Sequence, residues 1–192
     1  MTPSRILRTG WMDLASAAAF LLVWLMREHL DYDTLRGLLL WPVVFEMFVA
    51  LALFLAGMLG SIRSAVVRNA WFAFVAGGYL AAAWLTGEHA GMPQVWMIAL
   101  WLLVARLMPP TGLGFGSAAH RDWVWKIAGY SGLLWGAGFV ATVLLMLAFS
   151  SDAVRDASGE LRSTSPAWIF PLVWTPYFVA EAVLRAWRQP AR

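Results

Sequence analysis

The chain has no cysteine, which excludes disulfides, thiolate metal sites and cysteine nucleophiles. It has one asparagine, Asn69, followed by Ala70, so it contains no N-glycosylation sequon. Charge is also scarce: 13% of the residues are Asp, Glu, Lys or Arg, and no basic run is long enough to form a nucleic-acid stripe. The formal charge of +3 therefore does not point to nucleic acid. The three histidines, His29, His89 and His120, are expected in loops on opposite sides of a membrane, so they do not converge on a metal. The acidic stretch holding Glu28, His29, Asp31 and Asp33 reads as a solvated loop.

What the chain has in excess is apolar residues. They make up 61% of 192 residues, against roughly 45–50% in a soluble domain, so a second apolar solvent is required. Bilayer lipid is that solvent. Six apolar stretches fall at about 11–26, 38–60, 70–86, 94–108, 123–149 and 168–187. Six helices of about 20 residues would use roughly 120 residues, which leaves short loops and no room for a soluble domain. The first stretch ends in Arg27, Glu28 and His29 with no small-residue cleavage site, so it is expected to stay as a membrane helix and not to be removed as a signal peptide. The second is the longest uninterrupted one. The fourth is short and stops at Pro109 and Pro110, while the sixth contains Pro171 and Pro176 and is expected to kink.

Ten of the fourteen basic residues occupy alternate junctions: Arg5 and Arg8; Arg63 and Arg68; Arg106, Arg121 and Lys126; Arg185, Arg188 and Arg192. The other junctions hold Arg27, Arg36, Arg155 and Arg162 diluted by acids. Basic residues flanking membrane segments stay cytoplasmic, so both termini are expected inside. The expected object is an all-α polytopic membrane protein. It is a single domain over 1–192, a six-transmembrane-helix bundle with both the N- and C-termini cytoplasmic, and its place is a bacterial inner membrane.

Thirteen tryptophans fit that reading. Ten of them (Trp11, Trp24, Trp41, Trp71, Trp84, Trp96, Trp123, Trp125, Trp168 and Trp187) lie near segment ends, where an indole bridges lipid and headgroups. Trp101, Trp135 and Trp174 lie well inside their segments, where the indole N–H needs a protein acceptor.

Glu46 is the leading candidate site residue. It lies about eight residues, or roughly 12 Å, below the start of its stretch, too deep for a short side chain to reach water. A carboxyl so placed must be protonated or paired. It serves either as a proton or cation site or as a clamp between helices, with Trp174 a partner candidate. Glu181, with Trp135 and Trp101, is secondary. Arg185 follows Glu181 by one turn, so an intrahelical ion pair is expected. Asp13 is expected to cap the first helix.

Other motifs carry no chemistry. The turn from Pro109 through Gly112, Gly114, Gly116 and Ser117 is glycine-rich but lacks the lysine and the preceding strand of a P-loop. Gly129-Tyr130-Ser131-Gly132 resembles the serine motif of rhomboid intramembrane proteases over four residues. That resemblance implies a histidine base in a later helix, and none follows His120, so Ser131 has no activator. Gly132 and Gly136 form a GxxxG pair that reads as a close helix-packing face, possible for a homo-oligomer or a membrane-protein partner.

No nucleophile–base pair, metal cluster or nucleotide motif remains, so no enzyme activity and no cofactor are expected. The expected function is a non-catalytic scaffold or accessory subunit working through helix packing, with the lipid bilayer as its surroundings. The alternative is a small proton- or cation-coupled transporter or channel using Glu46.

Overall fold

The computed structural model describes residues 3–58, 64–92, 94–108, 114, 117–149 and 169–188. These residues form six α-helices and no strand: α1 (Pro3–Leu25), α2 (Tyr32–Met58), α3 (Ala65–His89), α4 (Val95–Leu107), α5 (Ala118–Phe149) and α6 (Ile169–Trp187). Outside the described residues lie most of the glycine-rich turn, the loop at 150–166, Arg63, Pro93, Trp168 and Arg192.

Four helices, α1, α3, α5 and α6, are long and apolar enough to cross a membrane, while α4 and the Gly37–Ala52 part of α2 are shorter apolar helices. Most helices start ahead of their apolar stretch, because backbone hydrogen bonding does not stop where hydrophobicity does. α1 begins at Pro3, where a proline costs nothing since the first amide of a helix has no intrahelical acceptor. Ser64 caps α3 by accepting from the Val67 amide at 3.5 Å. Met108 ends α4 in an extended conformation (φ −64°, ψ 118°), which suits a residue that precedes a proline.

Three expectations change here. Pro42 lies inside α2, so the second stretch is not free of helix breakers. A helix tolerates an interior proline when neighbouring groups satisfy the freed backbone. Asp13 is no cap: it sits eleven residues along the 23-residue α1. His89 and His120 are helical and not in loops, the first at the end of α3 and the second in the first turn of α5.

α2 is the central helix and touches each of the other five. α1 packs chiefly along α6, and α3 sits at the margin against α2 and α4. The α1–α6 approach is close because Gly10 has no side chain: a Cβ there would stand 2.6 Å from both Cα and Cβ of Ala182. Gly10 also leaves helical geometry (φ −114°, ψ 16°), which bends α1 at the contact. Phe20, Leu39, Val49, Ala99, Trp174 and Phe178 are among the residues of the main core. Outward faces stay apolar, with Leu133, Leu144 and Leu147 on α5 and Phe74, Trp84 and Leu85 on α3 all well exposed. Such a surface suits lipid and not water.

Candidate functional site

The site is built on α6. Tyr177, Glu181 and Arg185 recur every four residues, so they line one face of that helix, and all three are buried. α1 brings Asp13 to this face, α2 brings Glu46, α4 brings Arg106 and α5 brings Ser131. All seven side chains are between 0 and 5% exposed.

Arg106 is the hub. Its Nη1 donates to Glu181 Oε2 at 2.8 Å and to Asp13 Oδ1 at 3.3 Å. Its Nη2 donates to the Tyr177 hydroxyl at 3.1 Å and forms an ion pair with Glu46 Oε1. The Tyr177 hydroxyl in turn donates to Glu46 Oε1 at 2.8 Å. Ser131 Oγ donates to Glu181 Oε2 at 2.9 Å. Arg185 forms a second centre: its Nε meets Asp13 Oδ2 at 2.9 Å, and its Nη1 donates to the Ala105 carbonyl.

The end of α4 explains part of this arrangement. The last carbonyls of a helix have no intrahelical donor and carry the negative end of its dipole. Here the Val104 carbonyl accepts from the Met108 amide, Ala105 from Arg185, and Leu107 from His120 Nε2 at 3.0 Å. The short α4 is thus finished by side chains of α5 and α6.

The candidate residues from the sequence divide as follows. Glu46 is fully buried, but Arg106 and Tyr177 hold it, not Trp174. Trp174 is also fully buried and packs edge-on against Tyr177 with ring centroids 5.1 Å apart, yet its Nε1 has no hydrogen-bond partner. The other interior indoles have acceptors: Trp101 donates to Ser16 Oγ and Trp135 to the Val43 carbonyl, each at 3.0 Å.

The expected Glu181–Arg185 pair within α6 is replaced by pairs between helices. The tight α1–α6 contact puts Asp13 beside Arg185, which leaves Glu181 to Arg106. Arg106 and Arg185, read as interface charges, both lie inside the bundle. Trp123, read as an anchor, is buried beside Ile127, with Arg185 5.7 Å above its ring. Gly132 and Gly136 do not pack inside the chain, since a Cβ at either would meet nothing within 4 Å. A Cβ at Gly138 would stand 3.5 Å from the Trp174 ring, an ordinary van der Waals contact.

Five cluster residues are not among the sequence's site candidates: Asp13, Arg106, Ser131, Tyr177 and Arg185. The four-residue spacing of Tyr177, Glu181 and Arg185 within an apolar helix was the available signal. Chemically, the cluster can hold helices together and can bind a proton; its serine and tyrosine are engaged as hydrogen-bond donors to carboxylates. No protein-family model, curated protein or solved structure matches the chain.

Proposed function

We propose that the chain is a multi-pass protein of a bacterial cytoplasmic membrane, with six spans and both termini inside. We propose further that it works without catalysis, as a scaffold or accessory subunit. One observation carries this reading: a single buried ionic cluster draws charged or hydroxyl groups from five helices, and its hub, Arg106, contacts α1, α2 and α6 together. Taking such groups out of water costs several kcal/mol per ion, and apolar replacements of similar volume are often at least as stable. The cluster therefore serves specificity: it fixes which helices meet and in what register. Scaffold function needs such a rigid frame, with outward faces left for lipid or another membrane helix. The α5 face around Gly132 and Gly136 is the face we assign to such a partner.

A second reading, proton- or cation-coupled transport through Glu46, draws support from the charge count, since three carboxylates face two guanidiniums. Purified Glu46→Gln reconstituted beside the wild type separates the two. The scaffold reading expects no proton or cation flux in wild-type liposomes and a lowered unfolding temperature in the variant. Wild-type flux lost in a variant of unchanged stability would overturn it. The topology has its own test: a reporter fused after Arg192 should stay cytoplasmic and one inserted at Ser158 should be external. The opposite result at either site rejects the six-span arrangement.

A further inference from the structure

The charges of the cluster do not cancel. Among the described residues it contains Asp13, Glu46 and Glu181 against Arg106 and Arg185, so with every group ionised one negative charge is left over. An isolated buried charge is far costlier than a neutral group or a balanced pair. The contacts show where the excess falls. Arg185 reaches one carboxylate, Asp13, and its remaining bond goes to a backbone carbonyl. Arg106 touches Asp13 more distantly, at 3.3 Å, and otherwise lies between Glu46 and Glu181. Two glutamates on different helices thus compete for one cation.

The remaining neighbours do not relieve the competition. Ser131 from α5 and Tyr177 from α6 donate neutral hydrogen bonds to the two glutamates and bring no charge. On α3, the buried Tyr79 hydroxyl is turned to the Ala99 and Phe45 carbonyls. Each glutamate also keeps one buried oxygen with neither a hydrogen bond nor an ion pair, Oε2 of Glu46 and Oε1 of Glu181, whereas Asp13 Oδ2, also without a hydrogen bond, lies 2.9 Å from Arg185 Nε. Both carboxyls are fully buried.

We propose that Glu46 and Glu181, bridged by Arg106, form a proton-binding dyad that holds a single proton between them at neutral pH. The proton comes from water and sits on one carboxyl oxygen at a time; the cluster goes from a charge of minus one to zero when it binds. As with other coupled carboxyl pairs, the proton belongs to the pair and not to either residue. This is independent of whether the chain transports anything. A scaffold would hold the proton permanently, whereas a transporter would exchange it.

Infrared difference spectroscopy of the purified protein in lipid nanodiscs tests the dyad. At pH 7 the wild type should show the C=O stretch of one protonated carboxyl. That band should shift when the glutamate carboxyls are labelled with ¹³C and stay in place when the aspartates are labelled. Glu46→Gln and Glu181→Gln should each abolish it, because either change leaves one carboxylate for one guanidinium. Asp122→Asn, at an exposed surface pair, should leave it intact. Absence of the band in the wild type overturns the dyad, as does its survival in either glutamine variant or a shift with aspartate labelling. The labelling experiment uses wild-type protein alone, so it decides the matter even if a variant fails to fold. A carboxylate-only spectrum accompanied by a sodium-dependent unfolding temperature would assign the balancing charge to a metal cation, against the proposal.

Discussion

Arg106 makes more of the cluster's contacts than any other residue described, and its removal is correspondingly costly. Arg106→Gln would strand Glu46 and Glu181 without a cation, and breaking a buried pair on one side costs about 3–5 kcal/mol. Thermal unfolding in detergent should show that loss. Adding Glu181→Gln to the same protein should recover part of it, since residues in one network couple by about 0.5–3 kcal/mol; purely additive losses would contradict a shared network. Tyr177→Phe removes a hydroxyl that accepts from Arg106 and donates to Glu46. A hydrogen bond to a charged group is worth about 1.5–3 kcal/mol, and the unfolding midpoint should fall accordingly.

At this scale the sequence was only partly legible. Glu46 stood out because no interface explains an acid in mid-stretch. Arg106 and Arg185 did not, because an arginine near the end of an apolar run reads as a flanking charge. Only the packing of α1 on α6 and the shortness of α4 turn these two inward. Asp13 was hidden for a related reason: an acid ahead of an apolar run looks like a cap when the helix has in fact begun ten residues earlier.

Between elements, the governing contact is the one between α1 and α6, and it depends on a missing side chain. Gly10→Val would force α1 away from Ala182 and loosen the Asp13–Arg185 pair one turn further along. Overpacking of this kind costs about 1–3 kcal/mol, readable as a lowered unfolding midpoint. Gly132→Val should change the same midpoint by no more than about 0.5 kcal/mol, because its Cβ enters open space. Equal effects at the two glycines would contradict the packing described. The GxxxG spacing on α5 marks helix packing, yet a Cβ would collide at Gly10, Gly37 and Gly87, none of them on α5. Spacing identifies a face on which backbones can approach; it does not say which neighbour arrives there. Helix existence was far easier to read than helix ends, since apolar length sets the first and capping chemistry sets the second.

Over the whole molecule, two kinds of surface coexist. The interior is unusually polar for a chain with so little charge, and the exterior of α3 and α5 is unusually apolar. Composition made the exterior legible, because 61% apolar residues cannot be buried in a small bundle. The interior was not legible, because pairing between helices far apart in sequence leaves no local pattern. Arg106 is 93 residues from Asp13 and 75 from Glu181.

The order of these charges along the chain bears on how the protein is assembled. Asp13 and Glu46 are synthesised first, on α1 and α2, ahead of both arginines of the cluster. Arg106 follows near the end of α4, and burying an ion costs several kcal/mol unless it is paired. Two waiting carboxyls can offset that cost as soon as α4 emerges. α6 then delivers Glu181 and Arg185 together, one charge of each sign. Each of the two cluster arginines is thus made after an acidic partner, Asp13, already exists.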